Sequence, residues 1–172
     1  MRPSTVQFGY PSMEDGAEVY RLIKSCPPLD VNSQYCYHLI CRDFRQTCVI
    51  ARDSGPNQGQ RIVGFLSAYV RPEQPECLFI WQIAVSEVLR GQQLASGMLS
   101  WLAATPMFQT ITVVEATIAP SNQASKRFFY RFAATCNAVV KTFPFLATTQ
   151  FSGESLHEDE VLHRMYLPDP VR

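Results

Sequence analysis

The sequence predicts an α/β fold of the mixed α+β kind: a central sheet of about seven strands with helices on both faces. Three observations carry this. Strand-like and helix-like apolar patterns interleave from one end of the chain to the other. The run 110–118 (TITVVEATI) is dense in β-branched residues. From Cys77 to Leu99 an apolar strand run meets a basic, glycine-containing turn and passes directly into an apolar-periodic helix.

The elements follow in order. A strand is expected around residues 5–10. Ser12, followed three residues later by Asp15, marks a helix start; Val19, Leu22 and Ile23 recur at helical spacing, and Pro27-Pro28 ends the pattern. Ser33 suits the cap of a second helix carrying Tyr35, Leu39, Ile40 and Phe44, after which 47–52 reads as a strand. The turn-rich stretch 53–59 leads to a strand over 61–70, and the two form a hairpin. Pro72 and Pro75 are expected to close that strand before the next run. A helix over 92–104 is broken by Pro106, and the strand 110–118 is punctuated by Ala119-Pro120-Ser121-Asn122. Ser121 or Asn122 can cap a long helix to about Cys136, with Ala124, Phe128 and Phe132 on one face. Short strands over 138–143 and 160–167 complete the chain.

Composition bounds the function. A chain of 172 residues with 47% hydrophobic and 12% aromatic residues can fill one core, and with no repeat or linker it is expected to be a single domain, 1–172. Fifteen basic residues balance fifteen acidic ones, so no basic field supports nucleic-acid binding. The first twenty residues lack a continuous apolar core and no eighteen-residue apolar run occurs, so neither signal-led secretion nor a membrane span is expected. The chain reads as cytoplasmic. Its six cysteines are scattered without a close C-x-x-C pair, which supports neither a metal site nor a disulfide frame.

The junction at Arg90-Gly91-Gln92-Gln93-Leu94-Ala95 is an anion site in outline. A helix N-terminus leaves backbone N–H groups unpartnered at the positive end of the macrodipole, and they can receive a phosphate. An ordinary strand-turn-helix connection is the plainer reading. The hexapeptide is similar to motif A of the GNAT N-acetyltransferases, whose pattern is Arg or Gln, two residues, Gly, one residue, then Gly or Ala. Arg90 and Ala95 match, whereas Gln93 stands where that family usually has glycine. Gln93 must then turn its side chain away or shift the ligand. The resemblance extends to the element order and to Asn122, which corresponds to the family's motif B; read alone, Asn122 is a helix cap. It implies a GNAT fold with acetyl-CoA as co-substrate and no metal. The coenzyme is expected along Ile83, Ala84, Val85, Arg90, Gly91, Gln92, Gln93, Leu94, Ala95 and Asn122. Backbone N–H groups near Ile83, Ala84 and Val85 would orient the thioester carbonyl if the strand bulges there. Many relatives place a tyrosine acid where this chain has Phe129, and Tyr130 beside it projects about 100° away, so no dedicated tyrosine acid is expected.

Four blocks narrow the resemblance to the L-2,4-diaminobutyrate acetyltransferases of ectoine biosynthesis: 27–35, 78–85, 115–125 and 157–160. That family acetylates the γ-amino group of L-2,4-diaminobutyrate, giving the precursor that a synthase cyclises to ectoine, an osmoprotectant. The resemblance places Asp30, Tyr35, Trp81, Thr117, His157 and Glu160 around the substrate; of the carboxylates in the matched blocks, Glu160, Glu115, Glu158 and Asp30, the first two are taken as the catalytic candidates. A homodimer is also implied. Chemistry independently requires a proton acceptor, because an amine of pKa about 10.4 costs roughly 4 kcal/mol to neutralise near pH 7.5. Two further readings stay open: a GNAT enzyme for another amine, and a non-catalytic acyl-CoA-binding module.

Overall fold

The computed structural model describes residues 6–54, 61–151 and 158–168. Its seven strands are β1 (Val6–Gly9), β2 (Val49–Asp53), β3 (Arg61–Arg71), β4 (Gln74–Val85), β5 (Val113–Ile118), β6 (Val139–Leu146) and β7 (Glu160–Tyr166). Four α-helices accompany them: α1 (Gly16–Lys24), α2 (Gln34–Asp43), α3 (Leu94–Ala103) and α4 (Gln123–Thr135). The sheet order is β1-β2-β3-β4-β5-β7-β6, and β4 with β5 supplies the parallel pairing that makes it mixed. The element order is the expected one.

Two compact units divide the chain, one comprising Met1–Tyr69 with Ile80–Gln109, the other Val70–Phe79 with Thr110–Arg172. In the first, α1 and α2 bury Val19, Ile23, Tyr37 and Cys41 with Ile50 and Phe65 of the hairpin. Phe65 faces those helices, while the preceding Gly64 faces Met98 of α3, where an added Cβ would lie 3.1 Å from the sulfur. Alternation along β3 thus sets helices on both faces of this unit. Ser12 and Asp15 form the expected cap: the Ser12 N–H donates to the Asp15 carboxylate at 2.8 Å. Ser33 Oγ accepts from the Cys36 N–H at 3.2 Å and starts α2.

In the second unit β5 pairs antiparallel with β7, and β7 with β6. Side chains of directly opposed residues share a face, so Glu115 and Thr117 of β5 lie on the same face as Glu160, Leu162 and Arg164 of β7. α4 covers the other face through Phe129 and Ala133, with Tyr130 edge-on to His163.

Four boundaries depart from expectation. β4 begins at Gln74 and includes Pro75; its ladder with β5 starts only at Cys77, so the missing proline N–H costs that ladder nothing. α3 begins at Leu94, because residues 90–93 form a turn. Residues 106–110 are a 3₁₀ turn, and β5 starts at Val113. β6 continues through Pro144 to Leu146, as an edge strand can, with a register shift at that proline. Of the 53–59 turn, residues 55–59 lie outside the described residues.

Candidate functional site

The β4–α3 junction presents donors and leaves them open. Gly91 sits at φ 78° and Gln93 at φ 61°, ψ 16°, so two left-handed residues reverse the chain before the helix. The first intrahelical bond runs from the Gly97 N–H to the Gln93 carbonyl at 2.9 Å. The N–H groups of Leu94, Ala95 and Ser96 precede it, and no side chain caps them. Gln92 folds its amide onto the Val88 carbonyl at 3.1 Å, and Arg90 stays exposed with its Nε 3.4 Å from the Val85 carbonyl. Upstream, Ala84 is buried and Ile83 and Val85 half-buried. The Gln82 N–H donates to the Ser67 hydroxyl at 3.1 Å, a side-chain acceptor beside this segment.

In the same unit Asp30 is exposed on the segment joining α1 to α2, and its carboxylate makes no hydrogen bond or ion pair among the described residues. Its backbone carbonyl accepts from Gln82 Nε2 at 2.7 Å, which fixes this segment to the residue that follows Trp81. Trp81 is 44% exposed and meets Tyr69 edge-on; Tyr35, on the first turn of α2, is 71% exposed. Solvent-facing aromatics and an exposed carboxylate are residue types suited to an amino-acid ligand. Neither aromatic is a core residue.

In the second unit Thr117 and Glu160 share the sheet face opposite α4, both half-buried. Glu160 also lines a groove of about 400 Å³ with Phe143, Phe145 and Asp159. Glu115 is different. Its side chain is 2% exposed, with Arg164 Nε 2.6 Å from one oxygen, though not aligned for a hydrogen bond, and Arg71 Nη1 3.4 Å from the other. Two guanidiniums around one buried carboxylate occupy its oxygens and block the approach of a substrate ammonium. Asn122 caps α4, its side-chain oxygen accepting from the Ser125 N–H at 3.0 Å. Phe129 is buried, and Tyr130 beside it lies against His163. Burial, and secondarily Lys126, hold the His163 pKa below its ordinary value, so the ring stays neutral. His157 lies outside the described residues.

Two residues that spacing did not single out are Gln82 and Tyr37, which hold the Asp30 segment. One signal was present: Gln82 is the single polar residue in the run LFIWQIAV. Arg71 and Arg164, the partners of Glu115, had no comparable mark. Cys41, Cys48 and Cys77 offer no nucleophile, since burial pushes the first two thiols up to about 12 and the third to about 11. Among the described residues there is no metal-ligand cluster, and no helix is long and apolar enough to cross a membrane.

Comparison with known proteins places this geometry. The model of the acetyltransferase (GNAT) family matches residues 16–134. An L-2,4-diaminobutyric acid acetyltransferase from Vibrio cholerae is 43% identical over 161 residues, covering 93% of this chain and 89% of the relative. Its counterpart from Bordetella parapertussis is 40% identical over 155 residues, covering 90% and 81%. The diaminobutyrate acetyltransferase of Paenibacillus lautus, solved in complex with its substrate L-2,4-diaminobutyric acid and coenzyme A, superposes with a TM-score of 0.88. It is 35% identical to this chain, over 95% of this chain and 96% of its own.

Proposed function

The chain belongs to the acetyltransferase (GNAT) family, and from that membership we infer that it moves the acetyl group of acetyl-CoA to the γ-amino group of L-2,4-diaminobutyrate, the acetylation that feeds ectoine synthesis. The observation that carries this is the match to the Paenibacillus lautus enzyme, solved with L-2,4-diaminobutyric acid and coenzyme A, along 95% of the chain at 35% identity. Residues 1–172 act as one acetyltransferase domain.

Acetyl-CoA supplies an activated acetyl thioester. The open N–H groups of Leu94, Ala95 and Ser96 fit its pyrophosphate, because they combine unpaired donors with the positive end of α3. Arg90, Gly91, Gln92 and Gln93 form the turn that aims them. Backbone N–H groups around Ile83, Ala84 and Val85 orient the acyl carbonyl. We assign Asn122 to the start of α4 as its cap rather than to the coenzyme.

The acceptor has two ammonium groups and one carboxylate, so a selective site holds the α end and frees the γ amine. Asp30 provides the anion for the α-ammonium, with Tyr35 and Trp81 along the aliphatic stem; Thr117 and His157 are carried as substrate residues by the family likeness alone. Glu160 takes the proton from the γ-ammonium: it stands on the sheet face of Thr117 and lines the groove with Phe143 and Phe145. Glu115 is reassigned from catalysis to structure, as the carboxylate that joins Arg71 and Arg164. In balance, an N–C bond forms and a C–S bond breaks; the nitrogen gives up two protons, one from the ammonium to Glu160 before attack and one from the tetrahedral adduct, which the departing thiolate takes up as coenzyme A thiol. A thiol of pKa near 8.5 leaves without a dedicated acid.

The protein acts as a homodimer in the cytoplasm. Edge strand β6 carries exposed Val139, Phe143 and Phe145, apolar surface that a second copy would cover. Six unpaired thiols suit a reducing compartment.

The test is incubation with acetyl-CoA and L-2,4-diaminobutyrate, following thiol release and locating the acetyl group by NMR. Acetylation at the γ nitrogen is expected. Tight coenzyme A binding without turnover on saturating diamine overturns the reading, and turnover only on another amine replaces the acceptor. Glu160→Gln should lower kcat about a hundredfold or more while the acetyl-CoA KM stays within about twofold.

A further inference from the structure

Gln82 is a polar side chain in an apolar strand, 7% exposed, and burying an amide is costly unless each of its groups is paired. Here they are paired. Nε2 donates to the Asp30 carbonyl at 2.7 Å, and Oε1 accepts from the Tyr37 hydroxyl at 3.2 Å. A carbonyl can only accept, so the Asp30 contact fixes which way the amide points. The Tyr37 hydroxyl in turn accepts from the Asn32 N–H at 3.2 Å, and the Tyr37 side chain is fully buried. The bonds close a ring from β4 through α2 to the chain on either side of Val31.

That segment has no regular structure from Cys26 to Ser33, so its shape depends on whatever its backbone groups bind. Its backbone is drawn inward at Asp30 and Asn32, while the side chains of Asp30 and Val31 face solvent. We propose that Gln82 and Tyr37 are positioning residues for the acceptor. By pinning the Asp30 carbonyl and the Asn32 N–H they hold the Asp30 carboxylate where it meets the α-ammonium, and so set affinity for the diamino acid without touching it. This rests on the acceptor assignment of Asp30 above. A carboxylate on an unpinned loop pays for ordering each time a ligand binds, and a preorganised one does not. Burial raises the Tyr37 pKa, so its phenol stays protonated and able to donate across the neutral range.

The test is a double-mutant cycle in the full-length enzyme between Tyr37→Phe and Asp30→Ala, reading KM separately for L-2,4-diaminobutyrate and acetyl-CoA. Tyr37→Phe keeps the ring and should raise the diamine KM about tenfold, the scale of one lost buried hydrogen bond. The acetyl-CoA KM should stay within about twofold. In the Asp30→Ala background, Tyr37→Phe should add nothing, an outcome that general loosening of the fold would not give. Gln82→Glu, which still accepts from Tyr37 but cannot donate to the Asp30 carbonyl, should reproduce the effect and stands in if Tyr37→Phe does not fold. An unchanged diamine KM in either folded variant, or a full additive penalty on Asp30→Ala, overturns the proposal while the wild-type turnover still stands. Loss of wild-type turnover on the diamine overturns the function reading itself, and this inference with it.

Discussion

α3 and α4 begin under opposite conditions. α4 satisfies its own N-terminus: Asn122 accepts from Ser125, and just before it the Ser121 N–H and hydroxyl both donate to the Glu158 carboxylate, the N–H at 3.1 Å. α3 has no side-chain cap and no acid in its first turn, and it is entered through a left-handed glutamine. The same macrodipole is met by the protein's own oxygens at one helix and left unmet at the other. A folding domain gains about 1 kcal/mol from a cap, so a helix that forgoes one leaves its donors for something else. The difference is the one expected between a helix that supports a site and one that binds an anion.

The sharpest way to break that comparison is to put the same charge at the same position of each helix. Ala95 and Ala124 are both the second residue of their helices. Aspartate at either should stabilise the fold by about 0.5 kcal/mol through the dipole, seen as a small rise in Tm. The functional outcomes should diverge. Ala95→Asp fills the cradle with its own anion and should raise the acetyl-CoA KM at least about tenfold, whereas Ala124→Asp should leave it within about twofold. Equal effects at both helices would remove the α3 terminus as the pyrophosphate site.

Removing the α4 cap tests the other half. Asn122→Ala should cost about 1 kcal/mol of stability in denaturant titration, with the acetyl-CoA KM within about twofold. A tenfold KM change at unaltered stability would return Asn122 to the coenzyme site, as motif B of the family suggested.

What could be read from the sequence was whatever is local along it. The helix starts at Ser12 and Ser33, the β-branched β5 and the contiguous turn Arg90–Ala95 depend on neighbours a few residues away, and each was legible. The left-handed state of Gln93 was not, since periodicity continues through 92 and 93 while the backbone there turns. Glu115 read as chemistry because a carboxylate in an apolar strand is a chemical signal; its arginines lie on strands remote in sequence, and only the β5–β7 register brings Arg164 to it. Asp30 stood out by resemblance, yet what holds it, Gln82 and Tyr37, comes from β4 and α2. Long-range pairing of this kind has no spacing to read.

The smallest expected effect bears on why the family pattern has glycine where this chain has Gln93. The φ of 61° shows that this position asks for a left-handed backbone, which costs a non-glycine residue roughly 1 kcal/mol. Gln93→Gly removes that strain but loosens the unfolded chain, so the net gain should be about 0.5 kcal/mol. Because the α3 donors are backbone groups, the acetyl-CoA KM should hold or fall slightly. A KM that rises instead would mean that the Gln93 amide itself reaches a phosphate oxygen. The open N-terminus of α3 would then be only part of the cradle, with this glutamine supplying by side chain what relatives supply through closer backbone approach.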